Sequence, residues 1–176
     1  MNILAQSYNA VGNYSSASEL YEKLHHLYVE RFGEKNSVTL KSLSNYANSL
    51  FKNRNYFKAM EMYFQLYEYR VEVLGVTNSR TLSTLHNAAV SLLRLKEFDG
   101  AIEVFRNIYE LKCYHLGETD ANTISSLIYL GEAYQQANNV PKAVECCEKA
   151  YKARLETLGA DHEDTIAIKS KLDEIK

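Results

Sequence analysis

The sequence predicts an all-α fold, an α-solenoid in which antiparallel helix pairs stack into a right-handed superhelix. Three observations lead to this prediction: a set of residues recurs every 42 residues, apolar residues recur at helical spacing between them, and the 176-residue chain has only one proline and seven glycines. So few helix-breaking residues favour helices over sheet folds with many turns. A long sequence period is typical of stacked helical units that share one continuous core.

The joints between units set the register of the repeat. Each joint has a glycine followed six residues later by a threonine: Gly33 with Thr39, Gly75 with Thr81, Gly117 with Thr123, and Gly159 with Thr165. The glycine follows the last apolar residue of a helix, where a left-handed conformation can end the helix without a steric clash. Three residues later comes a side chain placed to cap the next helix, namely Asn36, Asn78, Asp120 or His162.

This register divides the chain into units that form a single array over residues 1–176. The array consists of a partial repeat at 1–36, full repeats at 37–78, 79–120 and 121–162, and a C-terminal capping helix at 163–176. Each full repeat contains two helices, a first helix over 39–52 and a second helix over 56–74 in the case of the first full repeat. Asn13, Asn55 and Asn139 precede second helices as N-caps, and Glu97 is the exception at this position.

Small and apolar residues at fixed positions predict the packing of the units. The first helix of the first full repeat carries an apolar stripe at helical spacing, formed by Leu40, Leu43, Ala47 and Leu50. Two sets of small residues allow close helix approach: Ala5, Ala47, Ala89 and Gly131 on first helices, and Ala17, Ala59, Ala101 and Ala143 on second helices. The tyrosines at repeated positions are predicted to be core residues rather than ligand contacts.

The pattern resembles the tetratricopeptide repeat. In that family the small residue of the first helix is followed by the alanine of the second helix and then by an aromatic residue, as Ala47, Ala59 and Tyr63 are here. The longer unit, with its L-G-x-x-x-x-x-T joint, is similar to the repeats of kinesin light chains. The family's joint commonly reads D-H-P-D-T; DHEDT at 161–165 comes close, and the other joints lack the proline. Cargo binding of the kinesin light chain kind is therefore not inferred.

The resemblance implies that the first helices line a concave groove that accepts a peptide or a partner helix. The residues predicted to contact such a partner are Lys41, Asn45, Asn48, Ser83, His86, Asn87, Tyr129 and Glu132. Asn45 and Asn87 share one register position, and a primary amide has both donors and acceptors for a peptide backbone. The alternative interpretation of these residues is a polar helix face that only contacts solvent.

Composition excludes several classes of partner. The net charge of −2 lacks the basic surface that a nucleic-acid phosphate backbone requires, and no apolar run is long enough to insert into a membrane. Cys113, Cys146 and Cys147 are expected to be buried or half-buried thiols, without a disulfide framework or a zinc site. No metal or cofactor is predicted, and a cytoplasmic location is expected because neither a signal sequence nor a disulfide pattern is present.

Three functions are compatible with these features. The favoured one is a protein–protein interaction scaffold or adaptor, and the alternative is a peptide-sensing regulatory module of a larger signalling protein. An enzyme is disfavoured because no phosphate-binding loop, nucleophile elbow or paired carboxylate is present. The chain begins and ends inside a repeat, which suggests a longer multidomain protein. Lys169 and Asp173, which replace apolar residues of earlier units, instead favour a natural C-terminal cap.

Overall fold

The computed structural model describes residues 1–175, which form nine α-helices and no strand. The helices are α1 (Asn2–Ala10), α2 (Tyr14–Phe32), α3 (Ser37–Lys52), α4 (Tyr56–Leu74), α5 (Ser79–Arg94), α6 (Phe98–Leu116), α7 (Ala121–Gln136), α8 (Val140–Leu158) and α9 (Glu163–Ile175). The all-α prediction is confirmed, and the second helix of the first full repeat has the predicted bounds. The last residue of the predicted capping helix, Lys176, lies outside the described residues.

The chain divides into two compact units at Leu95. The first unit holds α1 to α5 and the second holds α6 to α9, and within each unit a helix packs mainly against its neighbours in the chain. The single array over the whole chain and its right-handed twist stay predictions. Within residues 1–175 no helix is both long enough and apolar enough to cross a lipid bilayer.

The core of the first unit is built from the predicted stripe. Leu40, Leu43, Ala47 and Leu50 are all buried, and the small residues Ala5, Ala17, Ala47, Ala59 and Ala89 have no exposed surface. Burial of each large aliphatic side chain contributes about 1.5–3 kcal/mol relative to leaving it in water. The small residues of both predicted sets are therefore buried in this unit, and the close helix contacts stay a prediction.

The core of the second unit places a glycine where the other first helices have alanine. A methyl group added at Gly131 would lie 3.1 Å from Cβ of Cys146 and 3.7 Å from Sγ of Cys147, so α7 and α8 pack tightly here and an added side chain would push against Cys146. Both cysteines are buried and Cys113 is half-buried, as the sequence predicts. Burial raises the pKa of the Cys146 thiol to about 11, so it is protonated at neutral pH.

The joints follow the predicted capping pattern with one correction. All four predicted caps at first helices accept a backbone N–H: Asn36 from Val38, Asn78 from Arg80, Asp120 from Asn122, and His162 from Asp164. The repeated glycines have the positive φ that was predicted, as in Gly75 with φ 88°. Its ψ of 157° is extended rather than left-handed helical, however. Only glycine populates this region readily, so the joint selects glycine more strongly than a left-handed turn would.

In three of the four joints, the threonine connects a first helix to the preceding second helix. Its hydroxyl donates to the carbonyl oxygen eleven residues earlier: Thr39 to Tyr28 at 3.2 Å, Thr81 to Arg70 at 3.4 Å, and Thr165 to Arg154 at 3.5 Å. Thr123 is the exception, because its buried hydroxyl has no partner in the described structure. These bonds give a physical reason for a threonine at this position in the other three joints.

Candidate functional site

In the first unit, the predicted contact residues lie on α3 and α5. Lys41 and Ser83 are exposed, and Asn45, Asn48, His86 and Asn87 are half-buried. Helical spacing puts the contact residues of each helix beside its buried stripe, so the half-buried side chains lie at the edge of the core. Ser83 and His86 are not among the residues that line the two cavities described below.

A cavity of about 260 Å³ brings the asparagines of this face together. Asn45 and Asn48 of α3 and Asn87 of α5 line it, together with Asn9 of α1. The two asparagines that share a register position therefore open onto one space. Asn9 was not predicted, because its register counterpart one repeat later is Phe51, so no repeating amide marks this position.

The polar groups of this cavity are only partly satisfied within the protein. The hydroxyl of Tyr63 donates a hydrogen bond of 2.6 Å to Oδ1 of Asn48, and burial raises the pKa of Tyr63 above its usual value, which keeps it a donor. In contrast, Oδ1 of Asn9 is buried without a hydrogen-bond partner in the described structure. A buried acceptor without a partner costs about 1–3 kcal/mol, so this oxygen is an unsatisfied polar group of the site.

A larger cavity of about 650 Å³ lies beside the first one, and Asn45 lines both. Lys41 is on its wall, together with Arg70 of α4 and Arg80 of α5. Leu24, Leu40, Val73 and Leu74 provide apolar surface. The cavity therefore combines apolar and cationic groups, and its volume is in the range of ligand pockets.

Arg70 belongs to a repeated pattern of half-buried cations. Its Nη1 donates to the carbonyl oxygen of Arg80 at 3.1 Å and to the hydroxyl of Thr84. In the second unit, Nζ of Lys112 donates to the corresponding carbonyl of Asn122 at 3.3 Å and to the corresponding hydroxyl, that of Ser126, at 2.7 Å. Burial lowers the pKa of both cations. Arg70, Lys112 and Arg154 are spaced by 42 residues, so the sequence itself marks a repeated cation at this position.

In the second unit, the two predicted contact residues are both in contact with other helices. The ring of Tyr129 stacks on Phe105 of α6, with the ring centroids 6.2 Å apart and the planes 17° from parallel, and the residue is 41% exposed. The carboxylate of Glu132 forms an ion pair with Lys171 of α9.

The side chains described above offer groups for hydrogen bonding and ion pairing. No group of three or more His, Cys, Asp or Glu side chains in residues 1–175 is arranged to hold a metal ion. His25 is half-buried and its Nδ1 lies 3.2 Å from the Ser42 hydroxyl, and burial lowers the pKa of this histidine. His25 therefore contributes to the packing of α2 against α3.

Comparison with known proteins identifies the repeat. Residues 123–164 match the family model of the tetratricopeptide repeat. Two crystal structures of nearly identical TPR-like repeats, from a kinesin light chain candidate of Podosopora anserina, are similar with a TM-score of 0.84 and 21% identity. The match covers 99% of this chain and 82% of those chains. A search of the curated proteins found no match.

A further solved structure supports the same fold. BtubC (BKLC) from P. vanneervenii is similar with a TM-score of 0.75 and 24% identity, over 90% of this chain and 63% of that protein. The predicted resemblance to kinesin light chain-like tetratricopeptide repeats is therefore confirmed. At these identities the similarity establishes the helical-repeat fold alone, and what the chain binds has to be argued from its own residues.

Proposed function

We propose that this chain is a protein-interaction scaffold that binds a peptide or a helical segment of a partner protein against its first helices. Tetratricopeptide repeats are in general protein–protein interaction modules, which supports the binding of protein over catalysis. The main support for this proposal is the cavity that asparagines of α1, α3 and α5 line together. A peptide that crosses these helices would meet amides from three successive repeats.

The amides suit the backbone of an extended segment. Asn45 and Asn87 each offer a carbonyl acceptor and an amide donor, so each can pair with one peptide group of the ligand. The buried Oδ1 of Asn9 can accept an N–H that the protein itself does not supply. Ser83 and His86, which lie outside the two cavities, and Tyr129 and Glu132 of the second unit stay predicted partner contacts.

The proposed partner is a protein, and the proposed location is the cytoplasm. The chain carries 20 basic and 22 acidic residues, which does not favour a nucleic-acid surface. All three cysteines are free thiols in the structure, which supports a reducing compartment.

The test begins with selection of peptides from a random library on the immobilised chain. The affinity of a selected peptide is then measured by titration calorimetry for the wild type and for the double variant Asn45→Ala with Asn87→Ala. Loss of these hydrogen bonds is expected to weaken binding by roughly 1–3 kcal/mol. The free energy of unfolding should change by less than ~0.5 kcal/mol per substitution, because neither side chain is part of the apolar core.

A matched control uses an asparagine from the second unit. Asn107 is exposed on α6, and Asn107→Ala should leave the affinity unchanged. Equal affinity of the selected peptide for the wild type and the double variant would contradict the proposal, as would failure to select any peptide.

A further inference from the structure

The larger cavity of the first unit lies at the N-terminal ends of first helices. Asn2 of α1, Ser37 of α3 and Arg80 of α5 are all in the first turn of their helices, and all line the cavity. The N-terminus of a helix carries a partial positive charge and favours anions. The backbone of three first helices therefore adds a positive potential to the charges of the side chains.

The charged side chains of this cavity all have the same sign. Lys41, Arg70 and Arg80 line it, and no aspartate or glutamate does. Among the ion pairs of the described residues, none involves these three cations. Three cations around one space repel one another, so an anion that entered the cavity would relieve this repulsion.

Arg70 is the cation with the least access to water. Both of its hydrogen bonds to the protein use Nη1, which leaves the N–H groups of Nε and Nη2 for a ligand. Burial, and then the charge of Arg80, lowers the pKa of Arg70. A half-buried guanidinium without a carboxylate partner is unfavourable for folding, and a bound oxyanion would provide the missing partner.

We propose that this cavity binds a phosphomonoester group on a side chain of the partner peptide. A phosphomonoester carries a charge of about −1.5 to −2 at pH 7 and three acceptor oxygens, which matches three cations better than one carboxylate does. Arginine pairs with such oxyanions through two parallel hydrogen bonds. The proposal rests on the proposed function for the source of the phosphoryl group, because Asn45 lines both cavities and a peptide on the amides would reach this one.

The apolar wall determines the most suitable probe. Leu24, Leu40, Val73 and Leu74 line the cavity together with Tyr28, so an aromatic ring attached to the phosphate would bury apolar surface there. Phenyl phosphate contains both parts of such a ligand. Benzoate is the matched carboxylate, with one negative charge on the same ring.

The first experiment follows backbone amide signals of the full chain by NMR while phenyl phosphate or benzoate is added at constant ionic strength. We expect saturable shifts from phenyl phosphate centred on residues 37–41 and 80–84, and at least about tenfold weaker binding of benzoate. Absence of saturable shifts, or equal affinity for the two anions, would overturn the proposal.

The second experiment uses two charge-matched variants. Lys41→Gln with Arg80→Gln removes two exposed cations of the cavity, and it should weaken phenyl phosphate binding at least about tenfold without affecting folding. Lys23→Gln with Arg94→Gln removes two exposed cations that do not line the cavity, and it should leave the binding unchanged. An equal loss in both variants would indicate only a general charge effect and would contradict a specific site.

The third experiment separates this proposal from the proposed function. A degenerate peptide library containing phosphotyrosine is compared with the same library after phosphatase treatment, and retention on the chain should fall after treatment. Asn87 lines the smaller cavity but not the larger one, so Asn87→Ala should weaken peptide binding and leave phenyl phosphate binding unchanged. If phenyl phosphate binds but both libraries are retained equally, the phosphorylated peptide is excluded as the ligand. If Asn87→Ala leaves peptide binding unchanged, the proposed function fails instead.

Discussion

The same register position has different surroundings in the two units of the molecule. Asn45 and Asn87 of the first unit open onto a shared cavity, whereas Tyr129, one repeat further along, stacks on Phe105. Likewise Asn48 lines the cavity, and its counterpart Glu132 is paired with Lys171. A repeat thus determines which positions lie beside the core, but the neighbouring helices determine whether a side chain is available to a ligand.

The largest expected effect tests the close helix contacts of the first unit. Ala89 is fully buried on α5, so Ala89→Arg introduces both excess volume and a buried charge. The free energy of unfolding should fall by ~3 kcal/mol or more. Chemical denaturation measures this change, with Ser83→Arg on the exposed face of the same helix as the control. A variant as stable as this control would mean that the contact is not close.

A smaller effect is expected at the corresponding position of the second unit, where the residue is Gly131. Gly131→Ala should destabilise the protein by about 1 kcal/mol, because the strain of the added methyl group against Cys146 exceeds the gain in helix propensity. In the first unit, Ala89→Gly should also destabilise, by about 0.5–1 kcal/mol or more, because alanine is the better helix former and fills its space. Denaturation curves of both variants decide the matter. A stabilising Gly131→Ala would show that α7 and α8 can separate at little cost.

A pH-dependent effect tests a polar cluster that is present in the first unit. Glu22 Oε1 accepts hydrogen bonds from Lys58 at 2.8 Å and from the Tyr46 hydroxyl at 2.5 Å. The bond from Lys58, followed by that from Tyr46, lowers the pKa of Glu22 below its usual value. The stabilisation is therefore present above the unfolded pKa of about 4.3 and is lost as the pH falls through the lower folded value.

The measurement for this cluster is the free energy of unfolding between pH 6 and pH 3 (roughly the range of carboxylate titration). Glu22→Gln should lose less stability than the wild type over this range, because it lacks the titrating group. Glu19→Gln removes an exposed carboxylate from the same helix and should follow the wild-type curve. Parallel curves for Glu22→Gln and the wild type would exclude a role for the cluster in acid stability.

The sequence predicted the features that depend on local order. Caps such as Asn36, the glycines of the joints and the buried stripe of α3 follow from helical spacing and from conformational preference, both of which act within a few residues. The contacts that differ between the two units could not be predicted in this way. Lys171 contacts Glu132, which lies 39 residues earlier in the sequence. Asn9 lines the cavity with the other amides, although its register position holds no asparagine one repeat later. Such contacts depend on the packing of helices and on the side chains of one particular repeat.

We propose that the first-helix face of the first unit, rather than that of the second, supplies the main contacts to a peptide partner. Titration calorimetry on two matched double variants compares these two faces. One variant combines Asn45→Ala with Asn87→Ala, and the other combines Tyr129→Ala with Glu132→Ala. For one selected peptide, the first pair should weaken binding by roughly 1–3 kcal/mol and the second by less than ~0.5 kcal/mol, since its side chains already contact other helices. A larger loss in the Tyr129 and Glu132 pair, with the asparagine pair unchanged, would contradict the claim.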